Sequence, residues 1–189
     1  MREGLKKLAV ALAFGAVSSG AIAAQDGPLH PSTSAGNFDV TLVNAAGVRI
    51  WGLQDIVFDT QGASANQTST VDICVFSNGA SGATEVQYKI DAATSSATLS
   101  NGASPATELD YRVEFADADN AFVDLITGGS VQAQVSNQNA GTLASQPDPT
   151  LACTSDQNAQ LRVSVLGTDI GTAGQGVYTG NVVLTVTPQ

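Results

Sequence analysis

Short runs that alternate apolar and polar residues recur along most of this chain. Phe38-Asp-Val-Thr-Leu-Val43 alternates cleanly. Val48 to Phe58 is a pair of short apolar runs broken at Gly52. Thr70 to Phe76, Glu85 to Ile90, Leu109 to Phe115, Gly129 to Val135, Ala159 to Leu166 and Tyr178 to Thr187 complete eight candidate strands. Clusters of Gly, Asn, Asp and Ser separate them, and no long helical period interrupts them. A period of two places alternate side chains on opposite faces, so each run has one face suited to a core and one suited to water. Strands of this length with turn signals between them predict an all-β antiparallel sandwich of Ig-like type.

The first residues follow a different pattern. Met1-Arg-Glu-Gly-Leu-Lys-Lys7 is basic, Leu8 to Val17 is a short apolar run, and Ser18 to Ala24 is small and weakly polar. That order is expected of a secretory signal peptide cut after Ala23 or Ala24. We therefore read 1–24 as the signal, 25–37 as a polar tail, and 38–189 as one β-sandwich domain. The mature protein is expected to be exported, passing through a periplasm to the cell surface.

Charge and cysteines fit export. Residues 1–24 take Glu3, Arg2, Lys6 and Lys7 with them, leaving 16 acidic and 4 basic residues and a net charge of −12. Such a surface repels nucleic acid and anionic membranes. Cys74 and Cys153 are the two cysteines. An even count in an exported chain predicts that they form a disulfide. Closing so long a loop stabilises the fold by roughly 4–5 kcal/mol in a loop-entropy account.

Candidate chemistry is sparse. The lone histidine, His30, lies in the polar tail, so no Ser–His–acid or Cys–His arrangement can be built around it. The glycines of Gly171 to Gly176 have neither a lysine nor a helical pattern after them, and they read as a strand connection. Asp110, Arg112 and Glu114 share one face of an alternating run and read as a solvated face. Asp117-Ala-Asp-Asn120 with Asp124 has some acids of a calcium loop, but it lacks the central glycine and the glutamate at the twelfth position. We read it as an acidic turn. No catalytic residue, metal site or cofactor is expected, and the chain is not expected to be an enzyme.

Four segments in order carry a family resemblance. They are Asp72-Ile-Cys-Val-Phe-Ser-Asn78, Leu109-Asp-Tyr-Arg-Val-Glu-Phe115, Cys153 with Asn158 to Val165, and Gly176-Val-Tyr-Thr-Gly-Asn-Val-Val-Leu-Thr-Val-Thr-Pro188. Together they resemble the spore coat protein U domain family, which includes the pilins of archaic chaperone–usher pili. The resemblance spans about residues 36–189. Many members carry a further cysteine pair near the mature N-terminus, which this chain lacks.

The resemblance implies an Ig fold lacking one strand and completed by donor-strand exchange. A periplasmic chaperone would lend a strand, an outer-membrane usher would follow, and the N-terminal extension of a neighbouring pilin subunit would replace the chaperone strand. The donor candidates are Phe38, Val40 and Leu42; the acceptor-groove candidates are Tyr178 and, on the terminal strand, Val182, Leu184 and Val186. Alternation alone leaves open whether Phe38–Val43 is the first strand of its own domain or a strand given to the next, with Val48–Phe58 then serving as the first strand. The function implied is that of a structural pilus subunit in adhesion or biofilm formation. The alternative is a self-complete secreted sandwich that binds carbohydrate or a surface ligand, with the Trp51-Gly52 corner as a stacking platform.

Overall fold

The computed structural model of the protein describes residues 28–30, 32–36, 40–43, 45–60, 65–79, 85–102 and 108–189. Residues 1–24, the expected signal segment, and Phe38 lie outside the described residues. The chain divides into two units, Met1–Asn44 and Ala45–Gln189. In the first unit no described residue belongs to a strand or helix, and Leu29, Val40, Leu42 and Val43 are exposed.

The second unit is almost all β. Its strands are β1 (Val48–Trp51), β2 (Gln67–Ser77), β3 (Gln87–Thr94), β4 (Thr98–Ser100), β5 (Glu108–Ala116), β6 (Phe122–Thr127), β7 (Ser130–Val131), β8 (Val135–Asn139), β9 (Ala159–Val165) and β10 (Val182–Pro188). A single helical turn and a half, α1 (Gly167–Thr172), lies between β9 and β10. The Asn66 Oδ1 accepts the first helical N–H, from Gly167, at 2.8 Å, satisfying one of the free donors of a helix start. No helix among the described residues is long and apolar enough to cross a membrane.

All strand pairs are antiparallel. The larger sheet runs β1-β2-β9-β5-β6-β7, with β4 on β5; the smaller runs β10-β3-β8. The two pack as an Ig-like sandwich. Ile73 and Val75 of β2, Tyr88 and Ile90 of β3, Tyr111, Val113 and Phe115 of β5, and Leu161 and Val165 of β9 form the core between them. Tyr88 and Phe115 meet edge to face across it, with ring centroids 6.3 Å apart, a favoured aromatic geometry.

The structure departs from the sequence reading in several elements. Leu53 to Phe58 forms no strand, although Phe58 packs on the core. Gly52 is the reason the run stops: its φ is +88°, and a side chain there would meet Cys153 Sγ. Gly129 to Val135 resolves into β7, which a turn at Gly128-Gly129 with positive φ joins to β6, and the first residue of β8, with Gln132 to Gln134 outside any strand between them. The short β4 lies in a run of Ala, Thr and Ser that carries no strand signal. In β6 a bulge opposite Val113-Glu114 breaks the alternation that marks the other strands.

The expectation of a solvated face at Asp110, Arg112 and Glu114 is corrected at its last member. Asp110 and Arg112 are exposed, but Glu114 is only 4% exposed. Arg162 of the adjacent strand holds Glu114 with two hydrogen bonds of 2.7 Å, from Nε and Nη2. Arg112 adds an ion pair at 3.3 Å and also binds Asp124 at 2.6 Å. Arg162 itself lies over the Phe122 ring, 3.8 Å from its centroid. The paired arginines offset the cost of burying the carboxylate. Hydrogen bonding to these acids raises the pKa of both guanidinium groups above the usual arginine value.

Candidate functional site

The site of interest is the outer edge of β10. This strand has one hydrogen-bonded neighbour, β3, and among the described residues no strand pairs its other edge. β1 lies beside β10 but bonds only β2. In an antiparallel pair every second residue turns its N–H and C=O away from the partner, so β10 presents a row of backbone groups that no strand among the described residues pairs.

Alternation sets its side chains. Val182, Leu184 and Val186 point inward, half-buried against the core, while Val183, Thr185 and Thr187 are exposed. Leu184 stands opposite Ala92 and Val186 opposite Ile90 on β3, both buried. An apolar strand therefore lines a sandwich margin along which no strand is paired among the described residues. The end of the strand is firmly placed. Pro188 sits against Gly79, where a side chain would clash with it. Gln189 donates its N–H to the Gln87 carbonyl at 3.2 Å, and its Oε1 accepts the Asn137 N–H at 2.6 Å.

Tyr178 does not belong to this edge. It precedes β10 by four residues, in a loop whose next residue, Thr179, exchanges two 3.0 Å backbone hydrogen bonds with Ser100 of β4. Its hydroxyl donates to the Gly174 carbonyl at 3.0 Å. The glycine-rich approach to β10 is thus folded on itself and anchored to β4, which a strand running from Tyr178 would have precluded. Of the donor candidates, Phe38 is outside the described residues, and Val40 and Leu42 are 84% and 89% exposed and outside any strand.

The two cysteines are bonded to each other, with Cα atoms 5.8 Å apart. The bond ties β2 to the long connection between β8 and β9 and packs on the Gly52 backbone, where β1 ends. Trp51 is half-buried at this corner, and its ring lies under the Arg49 guanidinium, 4.8 Å from the centroid. Arg49 in turn donates to the Pro149 carbonyl. The ring face offered as a sugar platform is therefore already occupied by a cation. The Trp51 indole N–H is enclosed without a partner among the described residues.

The acidic turn has a structural task. Asp117 is buried; its two carboxylate oxygens accept the Asp119 and Asn139 N–H groups at 3.0 and 2.7 Å. The Asp124 carboxylate is committed to Arg112 instead, so these acids do not converge. Among the described residues no group of three His, Cys, Asp or Glu side chains is placed to hold a metal. A hollow of about 360 Å³ beside this turn is lined by Asp72, Asn120, Gln157, Asn158 and Gln160 with two alanines. No aromatic ring lines it, and Asp72 already accepts the Gln160 amide at 2.8 Å. Burial drives the Tyr88 hydroxyl far above the usual phenol range, with the charge of Asp117 adding to the effect.

Sequence reasoning missed Asp117, Gln146 and Asn158 as backbone partners. Their role depends on distant chain segments, and in a loop they look like ordinary turn residues.

No protein-family model matches the chain, and no curated protein matches it. Among solved structures, one match is a chain from a structure described as "Chaperone-tip adhesin complex is vital for synergistic activation of CFA/I fimbriae biogenesis". The TM-score is 0.48 at 18% identity, covering 75% of this chain and 41% of that one. This chain therefore spans less than half the length of that neighbour.

Proposed function

We propose that this protein is an exported structural subunit of a chaperone–usher type fibre, joined to its neighbours by strand addition at the outer edge of β10. The observation that carries the reading is the edge itself: Val182, Leu184 and Val186 line an apolar margin whose backbone groups have no strand partner among the described residues. A bare apolar edge is an aggregation hazard unless another strand covers it. The donor is the segment around Phe38, Val40 and Leu42, taken from another copy; its alternating apolar residues suit pockets spaced two residues apart. Each copy then carries both donor and acceptor, and such a heterologous contact grows a fibre rather than a closed ring. A periplasmic chaperone and an outer-membrane usher are the partners this reading requires, and it assigns the chain no catalytic role.

The test uses purified residues 25–189 and a synthetic peptide spanning Asn37–Val43. The protein alone should polymerise or aggregate. Added peptide should convert it to a stable one-to-one complex, and deleting residues 25–44 should abolish fibre growth while leaving peptide capture intact. A stable monomer that ignores both the peptide and the deletion would sink the reading.

A further inference from the structure

The larger sheet also contains a strand that outruns its partner. β2 continues to Ser77, but β9 accompanies it only as far as Ile73, opposite Ala159. Val75 and Ser77, both fully buried, therefore extend past the last backbone partner on that side. Side-chain amides take the place of the missing strand. Asn158 Oδ1 accepts the Val75 N–H at 2.8 Å, and its Nδ2 donates to the Val75 carbonyl at 2.8 Å. A strand residue opposite Val75 would offer one acceptor and one donor, and the carboxamide supplies the same pair. Nδ2 also donates to the Ala140 carbonyl at 2.9 Å, fixing the amide. At Ser77 the backbone N–H is accepted by Gln146 Oε1 at 2.8 Å. Both amides come from the strandless connection after β8, which the Cys74–Cys153 bond and the Arg49–Pro149 hydrogen bond fasten to β1 and β2.

We propose that Asn158 and Gln146 form a two-amide plug that closes the β2 edge against a strand from a second copy of this chain. The plug engages the Val75 N–H and carbonyl and the Ser77 N–H, three of the backbone groups through which such a strand would bind, without adding a new strand edge of its own. The inference concerns the larger sheet and stands independently of what occupies β10.

The test compares backbone amide exchange by NMR and self-association by sedimentation for residues 25–189, kept in excess Asn37–Val43 peptide so that the β10 edge does not drive association, and for Asn158→Ala, Gln146→Ala and the double variant under the same conditions. Asn158→Ala should speed exchange of the Val75 amide about 10-fold or more relative to Ile73. Gln146→Ala should do the same at Ser77 and leave Val75 unchanged. The double variant should associate beyond the parent, with Val75 and Ser77 regaining protection in the associated form. An even rise across β2 would mean general destabilisation and overturn the proposal, as would association that leaves Val75 and Ser77 exchanging fast. Should the double variant not fold, Gln146→Ala alone decides, because only a local plug gives a rise confined to Ser77.

Discussion

The smaller sheet has two edges, and they are built in opposite ways. β8 and β10 flank the same strand, β3. β8 is polar along Ser136 to Asn139, and Asn137 sits at φ +58°, which bends it out of the extended form. Its backbone is also capped: the Asn139 N–H goes to Asp117 at 2.7 Å, and the Asn139 carbonyl accepts from Ala118 at 3.2 Å. β10 has Val182, Leu184 and Val186 in register, regular pairing and no cap on its outer edge among the described residues. Native sheets blunt the edges they do not use with polar residues, irregular backbone and covering loops. Within one sheet, β8 thus carries polar residues, irregular backbone and a cap, and β10 has neither irregular backbone nor a cap on its outer edge among the described residues.

The strongest way to break the contrast is to uncap β8. Asp117→Ala removes the acceptor for two N–H groups, one of them buried. Urea unfolding should show a loss of about 2–4 kcal/mol, the cost of stranding a buried donor together with a charge-assisted bond. Asp117→Asn keeps one oxygen acceptor and should lose less. If Asp117→Ala unfolds at the parent midpoint, the cap is decorative and the edges are more alike than their geometry indicates.

Removing apolar volume from β10 is the complementary change. Leu184 is half-buried, so Leu184→Ala should cost about 1–2 kcal/mol, below the range for fully buried leucines. Capture of the Asn37–Val43 peptide should weaken about 10-fold, since roughly 1.4 kcal/mol of lost contact corresponds to that factor. Isothermal titration separates the two effects from the midpoint shift.

Most of the strands were legible in the sequence because a half-buried strand in an antiparallel sandwich must alternate. β2, β3, β5, β9 and β10 all announced themselves this way. β6 did not, since the bulge at Val113-Glu114 lets Leu125 and Ile126 both be buried in succession. Glu114 was misjudged for a related reason: its burial depends on Arg162, 48 positions away, which no local pattern reveals. At the candidate site, Val182, Leu184 and Val186 could be read from their period, whereas Tyr178 could not be separated from them. What detaches it is the Thr179–Ser100 bridge, and β4 had left no signal to predict a partner there.

A pH experiment probes the strand that the two edges share. Tyr88 of β3 is wholly buried, its hydroxyl has no hydrogen-bond partner among the described residues, and burial raises its pKa well above the ordinary value of 10.0. Burial raises Tyr111 as well. The unfolded chain releases these protons near pH 10 while the folded chain keeps them. Their contribution to stability is thus fully present below pH 10 and declines as pH rises above it, by up to about 1.4 kcal/mol per pH unit for Tyr88. Tyr88→Phe should leave neutral-pH stability unchanged or up to about 1 kcal/mol higher, because the lost hydroxyl was unpaired, and it should flatten the alkaline slope. An unchanged slope would place the controlling ionisation elsewhere.

The smallest expected effect sharpens what "edge" means. Thr185 lies on β10 between the inward residues, is exposed, and stands opposite Asp91 of β3. Thr185→Lys adds a long cation on the outer face, next to a carboxylate across the pair, so stability should change by no more than about 0.5 kcal/mol. Peptide capture should also persist, because a strand added beside β10 uses its backbone groups and core-facing pockets, while side chains stand perpendicular to the sheet. Loss of capture in Thr185→Lys, with stability intact, would show that the peptide lies across the outer face. The unpaired backbone of β10 would then have no part in binding, and its difference from β8 would be a matter of solubility alone.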